Sequence, residues 1–107
     1  MIEFVIVLTT LPAESDAEKL ASQLVEERVA ACVNILPAMR SVYRWKQAVE
    51  HADERQLVIK TTRAHVGELE ARLRVLHPYE VPEFVVLPID SGSADYLSWL
   101  SESTSRA

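Results

Sequence analysis

The sequence predicts an α+β fold, a single antiparallel sheet with its helices packed on one face and an extra helix at the C-terminal end. Three observations predict it. Short apolar runs alternate with two stretches of helical periodicity, these segments follow the order β-α-β-β-α-β, and the prolines fall at bends and segment ends. The chain of 107 residues reads as one domain spanning residues 1–107, with no linker, repeat or low-complexity segment. At this size folding removes roughly two-thirds of the unfolded surface from water, which allows a modest core.

Each element has a local cause. Residues 2–9 are rich in Phe, Val and Ile and stop at Thr10-Leu11-Pro12, the pattern of a central strand buried on both faces. Ser15-Asp16-Ala17-Glu18 carries a capping-box pattern, and Ala17, Leu20, Ala21, Leu24 and Val25 follow at helical spacing, which predicts a helix over 16–29. A second strand starts at Ala31-Cys32-Val33-Asn34-Ile35-Leu36, bends at Pro37 and resumes from Met39 to Trp45. Polar residues 46–54 form a connection, and Arg55 to Thr61 returns as the third strand. Val66, Leu69, Leu73 and Leu76 share one face of a helix over 63–76 that ends before Pro78. Phe84-Val85-Val86-Leu87, flanked by Pro82 and Pro88, is an edge strand, because proline cannot donate to a sheet ladder. Ala94 to Leu100 forms the last helix, where Tyr96 and Trp99 pack on the sheet, and the polar tail 102–107 frays. This order is the ferredoxin-like split βαβ arrangement with a long hairpin between its second and third strands.

Composition excludes several functions. Eleven Lys and Arg against 16 Asp and Glu give a net charge of −5, which disfavours nucleic acid and other polyanions. The strand Gln56-Leu57-Val58-Ile59-Lys60 has no aromatic residue to stack a base, as an RNA-recognition domain of this topology requires. The loop after the first strand, Thr9 to Glu14, has neither the cysteine pair of a metallochaperone nor the arginine of a phosphatase. Cys32 is the only cysteine, so no disulfide framework exists, and a free thiol fits a reducing cytoplasm. The acidic residue Glu3 and the short apolar run of the N-terminus match neither a secretory signal nor a membrane span.

The second strand is too long for the domain. Residues 31–46 at about 3.3 Å each would span on the order of 50 Å, whereas a domain of this size is roughly 35 Å across. The hairpin must therefore overhang, and alternation puts Met39, Ser41, Tyr43 and Trp45 on one face. No element of the chain is left to cover that aromatic face. A second copy of the chain is the natural cover, which predicts a homo-oligomer with Met39, Tyr43 and Trp45 in its interface. The bland alternative is that the hairpin folds back and buries Tyr43 and Trp45 in its own core.

The segment His77-Pro78-Tyr79-Glu80-Val81-Pro82-Glu83 sets an imidazole, a phenol and carboxylates between prolines that fix the backbone in an extended form. Its ordinary reading is a helix stop followed by solvated carboxylates. Its functional reading is a shaped site, with Lys60, Tyr79 and Glu83 as candidate cleft walls. On an extended strand Glu80 and Glu83 would face opposite ways, which disfavours a paired acid/base role. His51, Asp53 and Glu54 offer a loose site for a hard cation, but their ordinary reading is a solvated hairpin tip. A thiol enzyme built on Cys32 and His77 has no third orienting group and no cofactor loop, so no catalytic residues are assigned.

Together Ala31-Cys32-Val33-Asn34-Ile35-Leu36-Pro37, Ser41-Val42-Tyr43-Arg44-Trp45, Ile59-Lys60-Thr61, the His77 to Glu83 segment and Tyr96-Leu97-Ser98-Trp99 resemble, in this order and over nearly the whole chain, the CutA divalent-cation tolerance proteins. The resemblance implies a PII-like homotrimer, an association with divalent-metal tolerance and copper binding in some members. With it Cys32, His77 and Glu80 become the candidate metal ligands, for Cu(II) first and Zn(II) second, since thiolate and imidazole suit both ions. A lone cysteine between Ala31 and Val33 is otherwise an inert small hydrophobe. The alternative is a PII-like signalling module that binds a small molecule or an unidentified protein partner at the cleft between subunits. Family members usually carry a glycine shortly after the tryptophan. Trp45-Lys46-Gln47-Ala48 has none, which leaves the conformation of the hairpin tip open.

Overall fold

A strand of 15 residues, β4, organises the sheet. In the computed structural model, which describes residues 1–106, the elements are β1 (Phe4–Pro12), α1 (Ala17–Glu26), β2 (Cys32–Ile35), β3 (Met39–Trp45), β4 (Ala48–Thr62), a 3-10 turn (Arg63–His65), α2 (Val66–Leu76), β5 (Val85–Pro88) and α3 (Ala94–Thr104). All pairings are antiparallel in the order β2-β4-β1-β5, and β3 pairs with the far half of β4. This is the expected ferredoxin-like α+β arrangement with its long hairpin and added C-terminal helix. No helix among the described residues is long and apolar enough to cross a membrane.

Alternation along the strands decides which face is covered. Val5, Val7 and Leu11 of β1 and Leu57 and Ile59 of β4 point to one side, where they close a buried core with Leu20 and Leu24 of α1 and Leu69 and Leu73 of α2. Each fully buried Leu, Ile or Val contributes about 1.5–3 kcal/mol of transfer free energy. Asp16 starts α1 by accepting a 3.0 Å bond from the Lys19 amide, so the cap is Asp16. Thr61 Oγ1 donates to the Val29 carbonyl at 2.8 Å and ties the end of β4 to the segment after α1.

The structure departs from the sequence expectations in several places, among them α1, which ends at Glu26 and not at 29, and the helix over 63–76, whose first turn is 3-10. β1 is central, but only one of its faces is fully buried, because α1 and α2 share a side and Ile6 and Leu8 on the other keep partial exposure. The second strand is two strands, broken at Leu36–Ala38 around Pro37, whose ring cannot donate to the ladder. Residues 48–54 are not a polar connection; they pair with β3 from Trp45↔Ala48 to Met39↔Glu54. His51, Asp53 and Glu54 are therefore strand residues, and Glu54 is 7% exposed instead of lying in a solvated tip. The last helix continues to Thr104, and Arg106 beyond it donates to both carboxylate oxygens of Glu68 at 2.8 Å and to the Glu27 carbonyl at 2.7 Å. Ala107, the end of the expected frayed tail, lies outside the described residues. Tyr96 and Trp99 stay 41% and 44% exposed, their rings tilted against each other with centroids 5.4 Å apart, where close helix-to-sheet packing was expected.

The hairpin overhangs as expected. The molecule measures 45 × 26 × 24 Å, and Tyr43 and Trp45 are exposed, so the hairpin does not fold back into its own core. Its tip is a two-residue turn in which Lys46 and Gln47 take φ of 48° and 70° without glycine. Left-handed backbone costs a non-glycine residue about 1–2 kcal/mol, which the lower chain entropy of glutamine over glycine partly offsets. Gln47→Gly should therefore raise stability by about 0.5–1 kcal/mol. The check is the urea midpoint at fixed protein concentration; an unchanged or lower midpoint would show that the turn carries no such strain.

Candidate functional site

The projecting part of the sheet and the segment after α2 enclose a cleft of about 780 Å³, within the size range of small-molecule sites. Its floor is the sheet face opposite the helices. Residues directly opposed in an antiparallel pair share a face, so Thr10, Gln56, Glu54, Met39, Ser41, Tyr43 and Trp45 all point to this side. Its wall is the Pro78 to Glu83 run, which carries no regular secondary structure.

Hydrogen bonds fix that wall to the floor. His77, 7% exposed, caps the end of α2; its Nε2–H donates to the Thr10 carbonyl at 2.6 Å, while its Nδ1 accepts the Tyr79 amide at 3.1 Å. These partners define the neutral tautomer. Tyr79 then turns its hydroxyl onto Glu54, donating to Oε2 at 2.7 Å, and Glu83 accepts from Gln56 Nε2 at 3.0 Å. The same Gln56 amide also donates to the Thr9 carbonyl at 2.6 Å. Burial pushes the Tyr79 phenol above its ordinary pKa, and the bond to Glu54 and the nearby Glu54 charge add to the effect. Burial also holds the His77 imidazole below its ordinary value, against the opposing pull of the Thr10 carbonyl and Glu54.

Several sequence candidates meet here and others do not. Tyr79 and Glu83 line the cleft, and so do Met39, Tyr43 and Trp45. Glu80 lines it too, with Oε2 3.9 Å from Lys46 Nζ, so Glu80 and Glu83 are not on opposite faces of a strand. Lys60 lies outside the cleft, with its ammonium 5.8 Å from the Tyr96 ring at the other end of β4. Thr61 faces the helices. Gln56 has no site role in the sequence reading, and Glu54 is placed there in a solvated tip, because a charged run from Glu50 to Arg55 resembles a turn more than the outer half of a strand.

The proposed metal ligands do not form a set within one chain. Cys32 pairs with Lys60, which pairs with Ile6, four residues from the Thr10 that holds His77. At sheet spacings Cys32 and Thr10 are about 13 Å apart along the strands and about 10 Å across them, against ligand bonds of about 2 Å. Both ring nitrogens of His77 are already bonded. Among the described residues no three His, Cys, Asp or Glu side chains gather as a metal cage.

The lowered His77 pKa fixes the sign of one pH effect. The unfolded chain takes up the proton first, near pH 6.5, so the stability from burying neutral His77 is complete above about 6.5 and is lost as pH falls from there through the lower folded value. His77→Gln should lose less stability than the parent between pH 7.5 and 5.5. Denaturant midpoints of both proteins at the two pH values check this; equal losses would remove His77 as the source.

The chain is similar to known proteins over nearly its whole length. The family described as CutA1 divalent ion tolerance protein matches residues 5–103. The divalent-cation tolerance protein CutA of Thermus thermophilus is 50% identical over 99 residues, which covers 92% of this chain and 96% of that one. A solved structure of a Thermus thermophilus divalent cation tolerance protein superposes with a TM-score of 0.90 at 48% identity, covering 98% and 100% of the two chains. Rice CutA1 (Oryza sativa) reaches a TM-score of 0.93 at 37% identity, covering 99% and 97%. A solved relative from Archaeoglobus fulgidus, described as a periplasmic divalent cation tolerance protein, reaches 0.89 at 30% identity over 98% and 100%. The Thermus and Archaeoglobus proteins are named for cation tolerance, and none of these relatives is named for an enzymatic activity. On the extent of these matches, the chain belongs to the CutA1 divalent ion tolerance family.

Proposed function

We propose that this protein acts in divalent-cation tolerance as a non-enzymatic, cytoplasmic homotrimer that binds Cu(II), with Zn(II) as the alternative ion, through donors drawn from more than one subunit. The family match supports the cation reading. The single geometric observation that supports assembly is the uncovered hairpin, where Val42, Tyr43, Trp45 and Val49 are 62%, 43%, 37% and 56% exposed on strands that extend past their own helices. An exposed apolar patch beside open strand edges is stabilised by docking against another chain. The cytoplasmic placement rests on the free thiol of Cys32.

Sharing between subunits follows from the spacing of the donors. Cys32 is free, Glu80 has only a long contact to Lys46, and His77 could coordinate only by giving up Thr10 or the Tyr79 amide. A site combining Cys32 of one copy with His77 or Glu80 of another therefore carries a conformational cost at His77 and none at Cys32. The rival reading, a PII-like module that takes a small molecule, is favoured by one observation, the cleft itself, whose polar groups are already oriented by hydrogen bonds between floor and wall.

Sedimentation at micromolar concentration should give a trimer, and Trp45→Glu should weaken it, since an unpaired charge at an interface core costs several kcal/mol; a monomeric parent, or a variant that assembles as well, would overturn the assembly reading. Titration of Cu(II) against a competing chelator should show at least tenfold weaker binding for Cys32→Ser and for His77→Ala, with affinity falling below about pH 6 as the donors protonate. Unchanged affinity in both variants would remove these ligands.

A further inference from the structure

We propose that the β3–β4 hairpin of one copy seats its back face in the cleft of the next, where Arg44 pairs with Glu54 and Glu83, and that this contact repeats from copy to copy round a closed ring. This inference rests on the assembly reading above and names the surface, the partner and the contact that orders the copies.

The hairpin is apolar on both sides, and a ribbon of two strands cannot cover itself. Strand pairing sets Met39, Tyr43 and Trp45 on the face that floors the cleft and turns Val42, Arg44 and Val49 the other way, with Arg44 directly opposite Val49. Val42 and Val49 are the more exposed pair, at 62% and 56% against 43% and 37% for Tyr43 and Trp45. A partner that covered only the cleft side would leave both valines in water.

Charge distinguishes the two faces. The cleft is lined by Glu54, Glu80 and Glu83, and no arginine, lysine or histidine lies among its lining residues. Glu54 is 7% exposed, and its Oε2 accepts the Tyr79 hydroxyl, while its Oε1 makes no hydrogen bond among the described residues. A buried carboxylate with one oxygen uncommitted is stabilised by a cation brought to it. On the back face Arg40 is held by Asp53 at 3.0 Å, whereas Arg44 is exposed and forms no ion pair among the described residues. A guanidinium set between two valines is the complement of carboxylates set beside Met39, Tyr43 and Trp45.

The same two faces decide the symmetry. Copies joined about a two-fold axis would set like against like, opposing carboxylates to carboxylates in a cleft-to-cleft contact and Arg44 to Arg44 in a back-to-back one. Joining back to cleft covers both apolar faces and pairs opposite charges. Because the faces point in opposite directions, two copies cannot make both contacts with each other, and three is the smallest number that closes the ring.

The test is sedimentation of the untagged protein over a dilution series at low ionic strength, in a fixed urea concentration that brings the assembly into its dissociation range. The parent should sediment as a trimer. Arg44→Glu and Glu83→Arg should each raise the concentration of half-dissociation by at least about tenfold, since like charges then meet across the contact. The two substitutions combined should bring it back to within about threefold of the parent. Lys19→Glu makes the same change of charge on the exposed face of α1 and should leave it unchanged. A monomeric parent overturns the assembly reading and this contact with it, and a dimeric parent overturns the ring. A trimeric parent in which Arg44→Glu behaves like Lys19→Glu, or in which the combined variant is no better than either single one, overturns the contact and leaves the trimer standing. Arg44 is exposed, so its variant keeps the test decisive if Glu83→Arg does not fold.

Discussion

The length of β4 is the constraint on which the rest of the structure depends. One half pairs with β1 and β2 and is covered by α1 and α2, and the other half extends past them with only β3 beside it. Helices of 10 and 11 residues rise about 15 Å, while 15 extended residues run about 50 Å, so the helices cannot cover the whole strand. Everything distinctive about the molecule lies in the uncovered half. The aromatic hairpin, the buried Glu54 and the floor of the cleft are all consequences of a strand that outruns its helices.

The second determinant is the segment between Pro78 and Pro82. Having no ladder of its own, it is held at points, with His77 on the end of β1, Tyr79 on β4 through Glu54, and Glu83 on β4 through Gln56. Prolines lower the entropy lost on fixing this backbone, so a few side-chain bonds suffice to hold it. The wall thereby links the helix layer to the opposite face of the sheet. A change at His77 is transmitted to Tyr79, and through it to Glu54, over bonded neighbours.

His77 also illustrates why a residue type is not a role. Imidazole is a common metal ligand, yet this one uses Nε2–H and Nδ1 to lock a backbone turn, and burial keeps it neutral. Membership of a divalent-cation tolerance family and the lack of a metal cage among the described residues of one chain are compatible if the ion is shared between copies, or if the cleft responds to another ligand.

The sequence by itself determined the element order, the antiparallel sheet with α1 and α2 on one side, the edge position of β5 and the overhang of the hairpin. These follow from periodicity, capping and proline placement, which act over a few residues. Tertiary structure decided the rest. Whether Lys46 and Gln47 could turn without glycine depended on strand pairing on both sides of them. Glu54 became a buried site residue because β3 and Tyr79 close over it, and no local pattern distinguishes it from the solvated Glu50 four residues earlier. Cys32 and His77 stand apart because they lie on opposite sides of β4 and at different heights along it, a separation set by register. Local propensity reads along the chain, whereas a site is made of groups brought together across it.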